Sequence, residues 1–298
     1  MNRAGDDEHA ERFTHLRPLL FTIAYEILGS ATESDDVLQD SYLRWAEVDL
    51  DTVTDTKAYL AQLVTRQALN ALRAQSRRRE DYVGPWLPEP LLTEEDPSAD
   101  VVLAESVSMA MLVVLETLSP DERAVFVLRE VFGFGHDEIA ATLGKSTAAV
   151  RQMAHRAREH VQSRRKRFEP VDAKLGAEIT TRFFAAAATG DLDGLMAMLA
   201  PDVVWTADSD GKVSAARRPV AGAERVARLI LGFVRLAGDE GRVEPAVYNS
   251  APALVLYLGD RLEGVVTFEV IDGRITNFYA MRNPEKLVAV TVPRRIGR

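Results

Sequence analysis

Arg151, Gln152 and His155 share one side of a helix that starts after Gly144, and Arg156, Arg158 and the run Arg164–Arg167 surround them with cations. Arginine and glutamine pair bidentately with guanine and adenine edges in the major groove, while further cations can sit on phosphates. Apart from Glu159 nothing acidic interrupts the helix, so the chemistry on offer is the reading of duplex DNA. Val150, Ala154, Ala157 and Val161 recur at helical spacing and must face inward, which turns the reading face outward. Ser146 or Thr147 stands at the N-cap, followed by Ala148. Upstream, Ile139, Ala140 and Leu143 stripe a preceding helix and Gly144 supplies the turn, so the pair is a helix-turn-helix.

A second cationic face lies earlier. The helix from Lys57 to about Arg79 is apolar at Tyr59, Leu60, Leu63, Val64, Leu69 and Leu72, and carries Arg66, Gln67, Asn70, Arg73, Arg77, Arg78 and Arg79 on its other side. Capture of single-stranded DNA needs cations and stacking groups, and this helix offers more of the former. Trp45 and Tyr59 are nearby aromatics of the kind that more often belong to a core. Before it come a helix from Arg12 to Leu28, ended by Gly29, and one from Ser30 to Val48 with Ser34 as its cap and Glu33, Asp35 and Asp36 in its first turn.

With 298 residues and 47% hydrophobic content the chain can form two or three domains with cores of their own. The net charge of −9 suits a DNA binder only because the signs are segregated. Zero cysteines exclude disulfides and thiolate metal sites, and no cofactor or metal is expected. The start, MNRAGDDEHAER, lacks the regions of a signal peptide, and no apolar run has the length of a membrane span, so a cytoplasmic protein is expected.

The strings SDDVLQDSYLRW and AYLAQLVTRQALNALR, followed by the helix-turn-helix, resemble regions 2 and 4 of bacterial extracytoplasmic-function (ECF) sigma factors over roughly the first 168 residues. The resemblance implies a transcription initiation subunit that binds core RNA polymerase, through its largest and second-largest subunits, and promoter DNA. By position, Asp35, Asp36, Gln39 and Asp40 would meet the polymerase. Arg66, Asn70, Arg73 and Arg77, with the loop Asp49–Thr56, would handle the −10 strand. Ser146, Thr147, Ala148, Arg151, Gln152, His155, Arg156 and Arg158 would meet the −35 element.

Between Glu80 and Glu122 there is no Lys or Arg, acids accumulate, and Pro85, Pro88, Pro90 and Pro97 forbid regular structure, so an extended strap is expected. It embeds an apolar anchor, WLPEPLL, that some surface should bury. Beyond Glu169 two helices, the strand DVVWTAD, the helix Ala223–Leu236 and three strands, Ala253–Leu258, Gly264–Val270 and Arg274–Arg282, are similar to a SnoaL-like, NTF2-type cone, in which a curved antiparallel sheet wraps a pocket with room for a small ligand. Asp272-Gly273 makes a hairpin turn. All five histidines precede residue 169, so the domain has no imidazole base and is not expected to be an enzyme.

Three short strings resemble signatures of the ECF41 group, to which SigJ-type sigma factors belong: WLPEP at Trp86, Leu87 and Pro88; DSDGK at Asp208, Asp210, Gly211 and Lys212, where the group has DGGGK; and NPEKL at Asn283, Pro284, Glu285, Lys286 and Leu287, where the group has NPDKL. Ser209 and Asp210 replace glycines that take positive φ freely. The resemblance implies residues 1–80 as region 2, 81–105 as linker, 106–168 as region 4 and 169–298 as a SnoaL-like domain that regulates the sigma factor in cis by docking on the linker. A DNA-binding one-component regulator with a ligand-sensing pocket is the alternative.

Overall fold

The computed structural model describes residues 3–78, 81–94, 100–164 and 173–298. Two compact units divide the chain. The first holds Met1–Asp81, Met111–Arg165 and Arg294–Arg298; the second holds Tyr82–Ala110 and Lys166–Pro293. Among the described residues no helix is long and apolar enough to cross a membrane.

In the first unit α1 (Arg3–Leu28), α2 (Ala31–Trp45) and α3 (Thr56–Arg78) enclose Leu20, Ile23, Ile27, Leu38, Trp45, Leu60 and Val64. The cap of α2 is Ser30, not Ser34: Ser30 Oγ accepts from the Glu33 amide at 3.1 Å, while Ser34 is buried inside the helix and donates to the Ser30 carbonyl. Gly29 at φ +68° turns the chain so sharply that α2 begins at once. The later part of the unit comprises α6 (Pro120–Phe126), a π-helical turn at Val127–Val131, α7 (His136–Leu143) and α8 (Thr147–Arg164). Arg123 of α6 is 1% exposed and donates to the Glu26 carbonyl of α1 at 2.7 Å and to Glu116 at 2.6 Å. A buried guanidinium thus fastens α6 to α1.

In the second unit residues 82–92 run without helix or strand, as their prolines dictate. The strap is not extended throughout: α4 (Val101–Ser106) forms beyond the last proline, capped by Asp100, whose carboxylate accepts from the Leu103 amide. α5 (Met109–Leu115) follows, with residues 111–115 counted in the first unit. Then come α9 (Ala173–Thr189), α10 (Leu192–Met198), β1 (Leu199–Asp208), β2 (Val220–Ala221), α11 (Ala223–Ala237), β3 (Gly241–Tyr248), β4 (Ala251–Leu258), β5 (Arg261–Ile271), β6 (Arg274–Met281) and α12 (Pro284–Leu287).

The sheet order is β2-β1-β6-β5-β4-β3. It is mixed rather than wholly antiparallel, because β1 and β6 run parallel. β3 escapes detection in the sequence since it is polar and contains Pro245, which is tolerated at a sheet edge where one side of the strand makes no ladder. Asp272 and Gly273, at φ +51° and +70°, form the expected hairpin between β5 and β6.

One face of the sheet buries Trp205, Leu254, Val266, Phe268 and Phe278 against Ile179 and Phe183 of α9 and Val226 and Ile230 of α11. The rings of Phe183, Trp205, Phe268 and Phe278 fill that side, with centroids 5.2–6.4 Å apart. The alternate residues Ala253, Val255, Val265, Thr267 and Met281 are buried as well. On this second face Ser108, Met109 and Ala110, at the start of α5, line a crevice with Thr267, Glu269 and Tyr279.

Candidate nucleic-acid interface and linker anchor

Gly144 sits in the left-handed region at φ +64°, ending α7, and Ser146 Oγ caps α8 by accepting from the Ala149 amide at 3.2 Å. Val150, Ala154, Ala157 and Val161 are buried, so Ala148, Arg151, Gln152 and His155 face outward. Several neighbours are already held by acids of the same unit. Thr147 bonds Asp137 at 2.6 Å, His155 meets Glu159 at 3.2 Å, Arg156 meets Glu122 at 3.2 Å and Arg158 meets Glu130 at 2.6 Å. Glu130 stabilises the charged Arg158 and raises its pKa. Arg151 and Gln152 carry no such pair among the described residues, so they are the side chains most ready to read base edges.

On α3, Arg66, Asn70 and Arg73 are exposed; the side chain of Arg77 lies outside the described residues. Arg66 Nε donates to the Thr142 carbonyl and its Nη2 to the Ala141 carbonyl, both at 2.8 Å, and Arg73 pairs with Asp121 at 2.8 Å. Trp45 is wholly buried and donates through Nε1 to the His9 carbonyl, so it is core. Tyr59 packs on Trp45 and lines a cavity of about 290 Å3 with Thr52, Val53, Thr54 and Asp55 of the loop after α2. On α2, Asp36, Gln39, Asp40 and Leu43 form one exposed face at helical spacing, Leu43 being 59% exposed. Asp35, half-buried beside them, accepts from Arg17 at 3.1 Å and from Arg294 Nε at 2.8 Å. Gly297 donates its amide to Thr22 Oγ1 at 3.1 Å, so the last residues of the chain lie along α1 and α2.

The second unit is organised on Asp208, the last residue of β1 and fully buried. Its Oδ1 accepts from the Tyr82 hydroxyl; its Oδ2 accepts from the Leu87 amide at 2.7 Å and from Lys286 Nζ at 2.8 Å. Lys286 also donates to the Leu87 carbonyl at 2.7 Å and stands 3.2 Å from the Trp86 ring centroid, a cation–π contact. Asn283 caps α12, with Pro284 in its first turn, and donates through Nδ2 to the Tyr82 hydroxyl at 2.8 Å. The three strings WLPEP, DSDGK and NPEKL thus meet at one buried charge pair. Leu87, Pro88, Leu91 and Leu287 are buried around it.

At the rim Asp210 accepts from the Val83 amide at 3.1 Å and pairs with Lys212, which also pairs with Glu285 at 2.7 Å. The lysine holds the Asp210 carboxyl below its usual range. Asp210 adopts φ +50° without being glycine, while Gly211, at φ +65°, lies so close to Val83 that a Cβ would come within 3.2 Å of its Cγ1. The glycine retained in this string is the one the strap needs.

Sequence reasoning missed a second anchor. Asn249, buried and at φ +52°, exchanges hydrogen bonds with Leu91 (amide to carbonyl 2.9 Å, side-chain oxygen from the Leu91 amide 2.9 Å) and donates through Nδ2 to the Val107 carbonyl at 2.8 Å. Its signal was an Asn-Ser pair between two β runs, since asparagine tolerates the left-handed turn. Tyr82 and Arg294 were also missed.

Burial and the bond to Asp208 push the Tyr82 phenol up from its ordinary pKa near 10. A raised folded-state pKa favours the neutral phenol, so this contribution to stability is complete below about pH 10 and is lost as pH rises through the folded value. Tyr82→Phe should cost about 1–2 kcal/mol at neutral pH by leaving Asp208 and Asn283 each short of a partner. It should also flatten the alkaline stability profile of the second unit, measured by urea unfolding at pH 8 to 11. An unchanged profile would show that Tyr82 does not carry it.

Residues 12–78 match the family model described as sigma-70 region 2, and residues 108–161 match sigma-70 region 4. The ECF RNA polymerase sigma factor SigJ of Mycobacterium tuberculosis is 36% identical over 295 residues, 95% of this chain and 94% of that one. The probable ECF RNA polymerase sigma factor SigI of the same organism is 29% identical over 276 residues, 91% of this chain and 92% of that one. The crystal structure of Mycobacterium tuberculosis SigJ superposes with a TM-score of 0.75 at 34% identity, covering 95% of this chain and 99% of that one. With helical regions of both sigma kinds, an α+β domain after them and this extent of likeness, the chain belongs to the ECF RNA polymerase sigma factors.

Proposed function

We propose that the chain is a cytoplasmic sigma factor that binds the largest and second-largest subunits of core RNA polymerase, reads the −10 strand with α3 and the −35 element with α8, and is regulated in cis by its own C-terminal domain. The exposed α2 face supports the first part: Asp36, Gln39 and Asp40 beside a solvent-facing Leu43 suit a protein partner better than water. A one-component DNA-binding regulator would have no use for that face. The C-terminal domain acts here as a regulatory part rather than an enzyme, because its buried acid, Asp208, is committed to three donors. A small ligand acting on that domain would do so by loosening the anchors at Asp208 and Asn249.

The observation that carries the regulatory reading is the pair Arg294–Asp35, 2.8 Å apart, in which the arginine is 11% exposed. The tail occupies an acid of the polymerase-binding face. Deleting residues 294–298 frees Asp35 and should raise run-off transcription at limiting protein about fivefold, equivalent to ~1 kcal/mol for a partly exposed pair. Purified core polymerase, with the full chain and the chain ending at Pro293 compared on promoter-enriched genomic fragments, reads this directly. Equal yields would remove the tail from the mechanism, and no protein-dependent transcript from either form would remove the sigma-factor reading.

A further inference from the structure

The residues assigned to the −10 strand meet region 4 within the first unit. Asp121, in the first turn of α6, places Oδ1 2.8 Å from Arg73 of α3 and Oδ2 2.9 Å from Lys145 in the turn of the helix-turn-helix. Burial raises its pKa, but the hydrogen bonds from Lys145 and Arg73 outweigh that and hold the carboxyl below its ordinary range, so it is ionised at neutral pH. Arg66, about two turns before Arg73, donates to the Ala141 and Thr142 carbonyls in the last turn of α7. Those carbonyls have no partner further along the helix and carry the negative end of its dipole. Between the two contacts lies a cleft of about 310 Å3 lined by Arg66, Asn70, Arg73, Thr142, Leu143 and Gly144.

We infer that region 4 holds α3 shut by imitating the DNA backbone: the Asp121 carboxylate and the final carbonyls of α7 occupy Arg73 and Arg66 where promoter-strand phosphates would bind. One carboxylate serves two DNA-binding elements at once, since it neutralises a cation of α3 and a cation of the helix-turn-helix turn. Promoter strand and region 4 compete for the same guanidinium groups, so the free protein binds DNA more weakly than its exposed cations would permit. Separation of region 2 from region 4 is then a precondition of promoter capture. The inference rests on the reading of α3 as the promoter-strand helix.

Asp121→Ala in the full chain tests it, with two readouts. The native chain has no cysteine, so His15→Cys and Ser163→Cys, both at exposed positions, accept a fluorophore pair that reports the distance between α1 and α8. Fluorescence anisotropy with mixed-sequence single-stranded DNA reports affinity and its salt dependence. Glu47→Ala, which removes one exposed negative charge away from the latch, controls for net charge.

Asp121→Ala should lengthen the labelled distance, tighten DNA binding about 5- to 20-fold and steepen the salt slope by about 0.7 as Arg73 becomes free for a phosphate. Glu47→Ala should do none of these. An unchanged distance with unchanged affinity overturns the latch. A longer distance without tighter DNA binding shows instead that α3 is not the strand-binding helix, which overturns the competition and the reading beneath it.

Discussion

Asp208→Asn is expected to lower the stability of the second unit by about 3–5 kcal/mol, because it leaves the Lys286 ammonium buried without its counter-charge. The side chains of Asp208 and Lys286 are 0% and 7% exposed, so water cannot replace the lost partner. The asparagine keeps a single acceptor oxygen where the carboxylate offered two, so the Leu87 amide, the Lys286 ammonium and the Tyr82 hydroxyl can no longer all be served. For a unit of this size the loss corresponds to a fall in melting temperature of about 10 °C. Because the same carboxylate holds Tyr82, Leu87 and Lys286, the strap should come free before the sheet unfolds, and protease cleavage within residues 83–92 should rise at temperatures where the domain remains folded. Lys286→Met in the Asp208→Asn background removes the stranded charge and should restore part of the loss, as replacing both members of a buried pair costs less than removing one. A fall of less than 1 kcal/mol in the single variant, or no recovery in the double, would mean that this pair does not anchor the linker.

Arg151→Ala is expected to weaken binding of the −35 duplex about 10- to 100-fold and to relax sequence preference at one base pair, the signature of a lost bidentate base contact worth about 1–3 kcal/mol. Gln152→Ala should behave likewise at a neighbouring position. Arg158→Ala should differ in kind. Its guanidinium is bound to Glu130 through Nε and Nη2, so any DNA contact must first break that pair, and the expected change is small and uniform across sequences. Gel-shift titrations against single-base-pair variants of a selected site separate these outcomes. Equal, sequence-independent losses from Arg151→Ala and Arg158→Ala would reduce α8 to a phosphate-binding element.

The helical part of the fold was legible because its signals are local. Apolar spacing, the glycine at 144 and the basic outer face of α8 each act within two turns of helix, so periodicity sufficed to turn Arg151 and Gln152 outward. Where two signals competed at the start of α2, the backbone decided: Gly29 in the left-handed region made Ser30 the cap and drew Ser34 into the helix. β3 was illegible for the opposite reason, since an edge strand needs neither alternation nor freedom from proline.

Two helical sigma regions, an acidic proline-rich linker with an apolar anchor, an α+β domain and the short strings that set this chain within its group can all be read from the linear chain. Those depend on residue types and spacings, which the linear chain carries. Tertiary folding makes the strings at residues 86, 208 and 286 one site, because a buried carboxylate must find its donors wherever in the chain they lie, and Leu87 and Lys286 stand 199 residues apart. It alone decided that Asn249 pins the linker, that Arg294 returns to Asp35 across 259 residues, and that Asp121 joins two cations from different helices. Charge pairing over such separations leaves no periodic trace in the sequence; it emerges when packing excludes water and each remaining polar group has to be satisfied.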